Sequence, residues 1–128
     1  MKKKYLIVIA DYYKDISKGL LSSAESILPK SSLIKIINVP GVFEIPVTIS
    51  KNIKKYDAFL ALGCVIKGQT PHFDFISLAS TDAIMRLSIK SKKPIGNGIL
   101  TCLNMKQAKA RKKKGAEAAY AVTSILSQ

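Results

Sequence analysis

Four apolar runs, at positions 5–10, 33–39, 58–66 and 94–101, alternate along the chain with stretches whose apolar residues recur every three or four positions. The runs are short and rich in Ile, Val and Leu, as in strands covered on both faces. Between them, Ile16, Leu20, Leu21, Ala24, Ile27 and Leu28 fall on one face of a helix predicted over residues 16–28 and ended by Pro29. A second helix is predicted over 45–53, with Glu44 and Pro46 at its start, where an acid and a proline are tolerated. A third, over 73–89, carries Phe73, Ile76, Ala79, Ala83, Ile84 and Leu87. The last helix is expected to start at Asn104, with Gln107 three residues on as in a capping box, and to be interrupted at Gly115 before 116–126.

Strand and helix thus alternate four times, which predicts an α/β fold with a four-stranded parallel sheet covered on both faces. Right-handed crossovers bring all four strand C-termini to one edge, and ligands of such sheets bind outside that edge. The loops expected there are 11–15, 40–44, 67–72 and 101–104. They carry Tyr12 and Tyr13, then Phe43 and Glu44, then Gln69, Thr70 and His72.

The third of these loops has the most chemistry in it. Residues 58–66 break at Gly68, read as a tight turn, and Thr70-Pro71 reads as a helix start, with Thr70 as cap and Pro71 at the first helical position. Asp74 falls in the first turn, the end of the helix dipole that favours an acid. A strand passing through a turn into a helix N-terminus gathers backbone N–H groups around one spot and suits an anion. His72, the only histidine of the chain, sits there.

At 128 residues the chain has the size of one domain, spanning 1–128. Its 48% apolar content is that of a globular protein, and no apolar run approaches the roughly 20 residues that cross a bilayer. The start Met-Lys-Lys-Lys resembles a signal peptide, but the apolar stretch behind it is short and reaches Asp11 without a small-residue cleavage pattern. A cytoplasmic location is expected. Cys64 and Cys102 form no CxxC pair and read as reduced core thiols, and nothing next to Cys64 marks it as a nucleophile. The net charge of +13 suits nucleic acid, an acidic lipid surface or anionic substrates, or else nothing beyond a solvated lysine surface. No aromatic residues interleave with the basic clusters as they do in single-strand binders.

Four motifs, in order and spacing, resemble lumazine synthase. They are Pro40-Gly41-Val42-Phe43-Glu44-Ile45-Pro46, the stretch from Gly63 to Asp74, Pro94-Ile95-Gly96-Asn97-Gly98-Ile99-Leu100-Thr101, and Gln107-Ala108 with Arg111 and Lys114-Gly115. The resemblance spans nearly the whole chain. It implies a flavodoxin-like three-layer α/β/α fold and the condensation of 5-amino-6-(D-ribitylamino)uracil with 3,4-dihydroxy-2-butanone 4-phosphate. It implies no metal and no organic cofactor. It further implies a homo-oligomer, a pentamer or a larger decamer or 60-subunit shell, with active sites between subunits and no nucleic acid or membrane partner.

Residue by residue, the resemblance makes His72 the catalytic group, an imidazole able to move protons near neutral pH. Gln69 and Thr70 match the residues that hold the phosphate of the butanone, with Arg111 as its bidentate clamp and Lys114 as a second cation. Tyr12 matches an aromatic that stacks on the uracil ring, and Val42 and Phe43 line the same pocket. Glu44 falls near the ribityl hydroxyls. Cys64, Val65 and Ile66 match a segment that reads the uracil edge through its main chain. Asn97 is matched to the same pyrimidine site, at a place where many members have phenylalanine; Asp11 stands where arginine is common, and Val42 where a smaller residue is common. The stretch from Arg111 to Gly115 is several residues shorter than in typical members. Three other readings stay open on the sequence: an archaeal-type riboflavin synthase, which shares the fold; a non-enzymatic basic module binding RNA or another polyanion without need of His72; and a flavin-binding electron carrier, for which the chain lacks acidic character.

Overall fold

The computed structural model describes residues 2–128. In chain order the elements are β1 (Lys4–Ala10), α1 (Lys14–Ile27), β2 (Leu33–Val39), a 3-10 turn (Val42–Glu44) running into α2 (Ile45–Lys51), β3 (Ala58–Ile66), α3 (His72–Ser91), β4 (Ile95–Cys102), α4 (Met105–Ala110) and α5 (Lys114–Leu126). The four strands form one parallel sheet in the order β2-β1-β3-β4. Tyr5 lies beside Ala58 in one ladder and Gly63 beside Ile99 in another.

Alternation along the central strands divides the core in two. Tyr5, Ile7 and Ile9 of β1 pack with Leu60, Leu62 and Cys64 of β3 beneath α1 and α5, through Ile16, Leu20, Ala24, Ala118 and Val122. Leu6, Val8, Phe59 and Ala61 point the other way, onto Ile45 and Ile49 of α2 and Ile84 of α3. The result is a three-layer α/β/α arrangement, flavodoxin-like as expected. Each fully buried Leu, Ile or Phe contributes about 1.5–3 kcal/mol, so the two clusters together hold the sheet between its helices.

The edges depart from the expected even coverage. β2 has one strand neighbour, and Leu33, Ile34 and Ile36 stay 49%, 39% and 37% exposed. An apolar run therefore marks a strand without guaranteeing that its own chain covers it.

The end of the chain also differs. Two helices replace the interrupted one, and the break falls at residues 111–113, ahead of Gly115. Gly115 lies inside α5, buried against α1, where an added Cβ would collide with the carbonyl oxygen of Leu20. It is a contact point between helices and not a helix breaker. The start of α4 follows the expected chemistry: the Asn104 side chain accepts from Gln107 N at 2.9 Å, while Gln107 Oε1 reaches back to Leu103 N at 2.8 Å.

Candidate active site

The C-terminal ends of β1 and β3 and the links that leave them build one wall of a cleft. Ser17 Oγ donates to Ala10 O at 2.8 Å, and Ser17 N to Tyr13 O at 2.9 Å, so the first turn of α1 is tied to the strand it leaves. The short link between them carries Tyr12, 75% exposed, with its ring 4.9 Å from that of Tyr13 at 86°. Opposite, the 3-10 turn lies on β3 at a point that only glycine permits. A Cβ on Gly63 would stand 2.9 Å from Val42 Cγ2 and 3.2 Å from Ala10 Cβ. Val42 is consequently buried, while Phe43 remains exposed at the rim and Glu44 is half-buried.

Between these walls lies a cleft of about 720 Å³, within the range of small-molecule sites. It is lined by Tyr12 from the link after β1, by Val42, Phe43 and Glu44 from the 3-10 turn, by Cys64, Val65 and Ile66 from the end of β3, and by His72 from the start of α3. Eight of the residues singled out in the sequence thus meet in one place. Its surface is mostly apolar and aromatic, with one imidazole and one carboxylate, which suits a flat heterocycle carrying a polar tail.

Burial pushes the thiol of Cys64 up to about 12, with Cys102 next to it adding to the effect. Both cysteines are buried and free, as expected, and Cys64 meets the cleft as a neutral surface.

The turn from β3 into α3 deviates in detail. Pro71 is the N-cap and His72 the first helical residue, one position later than the motif suggested. Thr70 Oγ1 accepts from His72 N at 3.4 Å, so the hydroxyl acts as proposed but from outside the helix. Asp74 N and Phe75 N both donate to Pro71 O, at 3.0 and 3.2 Å. Gly68 lies outside any turn, with a negative φ and open space around it, so nothing there requires a glycine. Gln69 and Thr70 lie exposed on this loop beside the cleft and do not line it.

The remaining predicted residues stand elsewhere. Asn97, Arg111 and Lys114 line a second cleft, of about 600 Å³, between α3, β4 and the start of α5, together with Thr81, Lys113 and Glu117. Asn97 Oδ1 accepts from Ile99 N at 3.0 Å and is held against its own strand. The basic turn is fixed from below: Ser23 Oγ of α1 donates to Lys112 O at 2.9 Å and accepts from Ala116 N at 3.1 Å. This cleft is polar and basic where the first is apolar, a surface for an anion.

The first cleft also includes Tyr13, Phe75 and Ile76, which were not among the predicted site residues. Phe75 and Ile76 follow His72 at helical i+3 and i+4 spacing, a signal available in the sequence. Among the described residues no group of three His, Cys, Asp or Glu side chains could hold a metal ion, and no helix is long and apolar enough to cross a membrane.

The model of one protein family, described as 6,7-dimethyl-8-ribityllumazine synthase, matches residues 2–128. Among curated proteins, the 6,7-dimethyl-8-ribityllumazine synthase of Bartonella bacilliformis is 48% identical over 115 residues, covering 86% of this chain and 76% of the relative. That of Bartonella henselae is 45% identical over 135 residues, covering 98% and 87%. That of Agrobacterium fabrum is 39% identical over 140 residues, covering 98% and 95%.

Proposed function

The chain belongs to the 6,7-dimethyl-8-ribityllumazine synthase family, transferases of riboflavin biosynthesis, and from that membership we propose how its residues divide the reaction. Residues 1–128 act as one domain in the cytoplasm, on two small-molecule substrates and without metal or organic cofactor. The pyrimidine 5-amino-6-(D-ribitylamino)uracil condenses with 3,4-dihydroxy-2-butanone 4-phosphate, giving the lumazine, phosphate and two molecules of water. The family match names the synthase, which sets aside the riboflavin synthase, electron-carrier and polyanion-binding readings.

The pyrimidine stacks on Tyr12 in the apolar cleft, against Val42 and Phe43, with its edge along the main chain of Cys64, Val65 and Ile66. Glu44 takes the ribityl hydroxyls. His72, at the mouth of the same cleft, moves protons as the amine adds to the carbonyl, water and phosphate leave and the ring closes. The observation that carries this reading is the meeting of the single histidine with those residues in one cleft of suitable size.

The butanone phosphate binds between Gln69 and Thr70 at the start of α3 and the cations Arg111 and Lys114, while Asn97, in the same cleft as those cations, contacts the pyrimidine. In one chain those cations line the other cleft. We therefore propose a homo-oligomer, a pentamer or a larger shell, in which the basic cleft of one copy closes on the apolar cleft of the next. In support, α3 presents Phe75, Leu78, Met85 and Ile89 to solvent at 66%, 74%, 57% and 69% exposure, a stripe that a second copy would cover.

The test mixes the two substrates and follows the absorbance and fluorescence of the lumazine for the wild type and for His72→Ala. Product from the wild type and none above background from the variant is the expected result. Equal turnover by both overturns the role of His72.

A further inference from the structure

Tyr12 is three-quarters exposed, and an exposed side chain of this kind exchanges rotamers on the picosecond to nanosecond scale unless something holds it. Its backbone is well fixed, because Asp11 N reaches Val39 O and the next residue is tied into α1 through Ser17. Nothing in the backbone, however, fixes the plane of the ring. The ring of Tyr13 stands against it, centroids 4.9 Å apart and perpendicular, in the edge-to-face arrangement that aromatic quadrupoles favour.

Tyr13 is itself anchored. It packs against the core cluster beneath α1 and α5, and it forms the partition between the apolar cleft and a small neighbouring groove lined by Lys14, Asp15, Met105 and Lys109. Burial, with Tyr12 and Cys64 beside it, raises its phenol above the ordinary range, so the ring remains neutral. In either sense of a T-shaped pair, at least one face of Tyr12 remains free for a flat ligand.

We propose that Tyr13 is a positioning residue for the pyrimidine substrate: its core-seated ring locks Tyr12 in the orientation on which the heterocycle stacks. This rests on the reading that Tyr12 takes the pyrimidine ring. The role belongs to the aromatic ring of Tyr13, not to its hydroxyl, and it acts through Tyr12 alone.

The test is steady-state kinetics on the assembled enzyme for Tyr12→Ala, Tyr13→Ala, Tyr13→Phe and the double Tyr12→Ala/Tyr13→Ala variant. Tyr13→Ala should raise KM for the pyrimidine about three- to tenfold, with kcat and KM for the butanone phosphate within about twofold of wild type. Tyr13→Phe should recover most of that loss, and the double variant should be no worse than Tyr12→Ala. Should Tyr13→Ala fail to fold, Tyr13→Leu fills the same core position without an aromatic face and is expected to show the same rise. An unchanged pyrimidine KM in Tyr13→Ala, where Tyr12→Ala raises it, overturns the proposal alone, as does a double variant whose loss is the product of the two single losses. An unchanged KM in Tyr12→Ala overturns the stacking reading, and this inference with it.

Discussion

His72 and Arg111 line different clefts of the same chain, His72 at the head of α3 beside the ends of β1 and β3, Arg111 beyond β4 at the turn into α5. If one reaction needs both, two copies must supply them. Oligomers assembled from a mixture of His72→Ala and Arg111→Ala chains should then be active although neither variant is. In a ring of head-to-tail contacts, random mixing of equal amounts restores both groups at about a quarter of the interfaces. Co-expressing the two variants and assaying the mixed oligomer checks this. Activity no higher than that of either parent would place the whole site within one chain.

The exposed stripe on α3 gives a second prediction. Phe75, Leu78, Met85 and Ile89 recur at helical spacing on the solvent side, whereas the surface pair Arg86–Asp82, at 2.8 Å, contributes little to stability. Leu78→Glu would bury a carboxylate in a copy-to-copy contact while leaving the isolated fold unstrained. Sizing with circular dichroism should show smaller particles with unchanged secondary structure, and turnover should fall with the loss of assembly. Particles of wild-type size would exclude this face from the interface.

Much of this was legible in the residues, for identifiable reasons. β2 and β3 lie at the positions read from their apolar runs: β3 because a strand covered on both faces needs continuous apolar side chains, β2 although most of its run is left exposed by its own chain. His72 and Glu44 could be assigned to one edge because parallel topology forces strand ends together. The separation of Arg111 and Asn97 from His72 could not be read, since periodicity gives the face of an element and not its neighbour in space. Gly115 misled for a related reason: its role is the approach of α5 to Leu20, a tertiary contact with no local signature. Tyr13 was placed at the ligand edge with Tyr12 but given no role there, because the significance of a second aromatic lies in its angle to the first.

Ser23 links α1 to the basic turn through one hydroxyl, donating to Lys112 O and accepting from Ala116 N. Ser23→Ala removes the hydroxyl partner of the Ala116 amide and leaves Lys112 O with only the 3.4 Å bond from Gly115 N, and should destabilise the chain by about 1–3 kcal/mol in urea unfolding. Because Arg111 and Lys114 flank that turn, KM for the butanone phosphate should also rise while KM for the pyrimidine stays. A loss of stability with both constants unchanged would show that the turn keeps its shape without Ser23.

Arg111 is one of only two arginines in a lysine-rich chain, the other being Arg86. A guanidinium offers two parallel N–H donors to a phosphate, which an ammonium cannot reproduce. Arg111→Lys keeps the charge and should still weaken butanone phosphate binding about tenfold, a loss of the order expected for one charge-assisted hydrogen bond, with little change toward the pyrimidine. Titration of each substrate separately decides it, and equal losses for both would remove Arg111 from the phosphate site.

The thiol of Cys64 provides a pH-dependent test of how dry the floor of the cleft is. Burial lifts it from an ordinary value of 9.0 to about 12, so between those pH values the unfolded chain has released a proton that the folded chain retains. Stability contributed by the neutral buried thiol is therefore complete below about pH 9 and lost as pH rises toward 12. The burial-raised phenols of Tyr5 and Tyr13 act in the same direction, so the wild type must be compared with Cys64→Ala to isolate the thiol. Urea unfolding at pH 7.5 and pH 10 should show the advantage of the wild type over Cys64→Ala shrinking at the higher pH. Iodoacetamide at pH 8 should leave Cys64 and Cys102 unmodified in the folded protein and alkylate both after denaturation, since burial keeps the reagent from both sulfurs. Rapid alkylation of Cys64 in the folded state would mean that water reaches the floor of the cleft, and the stacking environment assigned to it would fail.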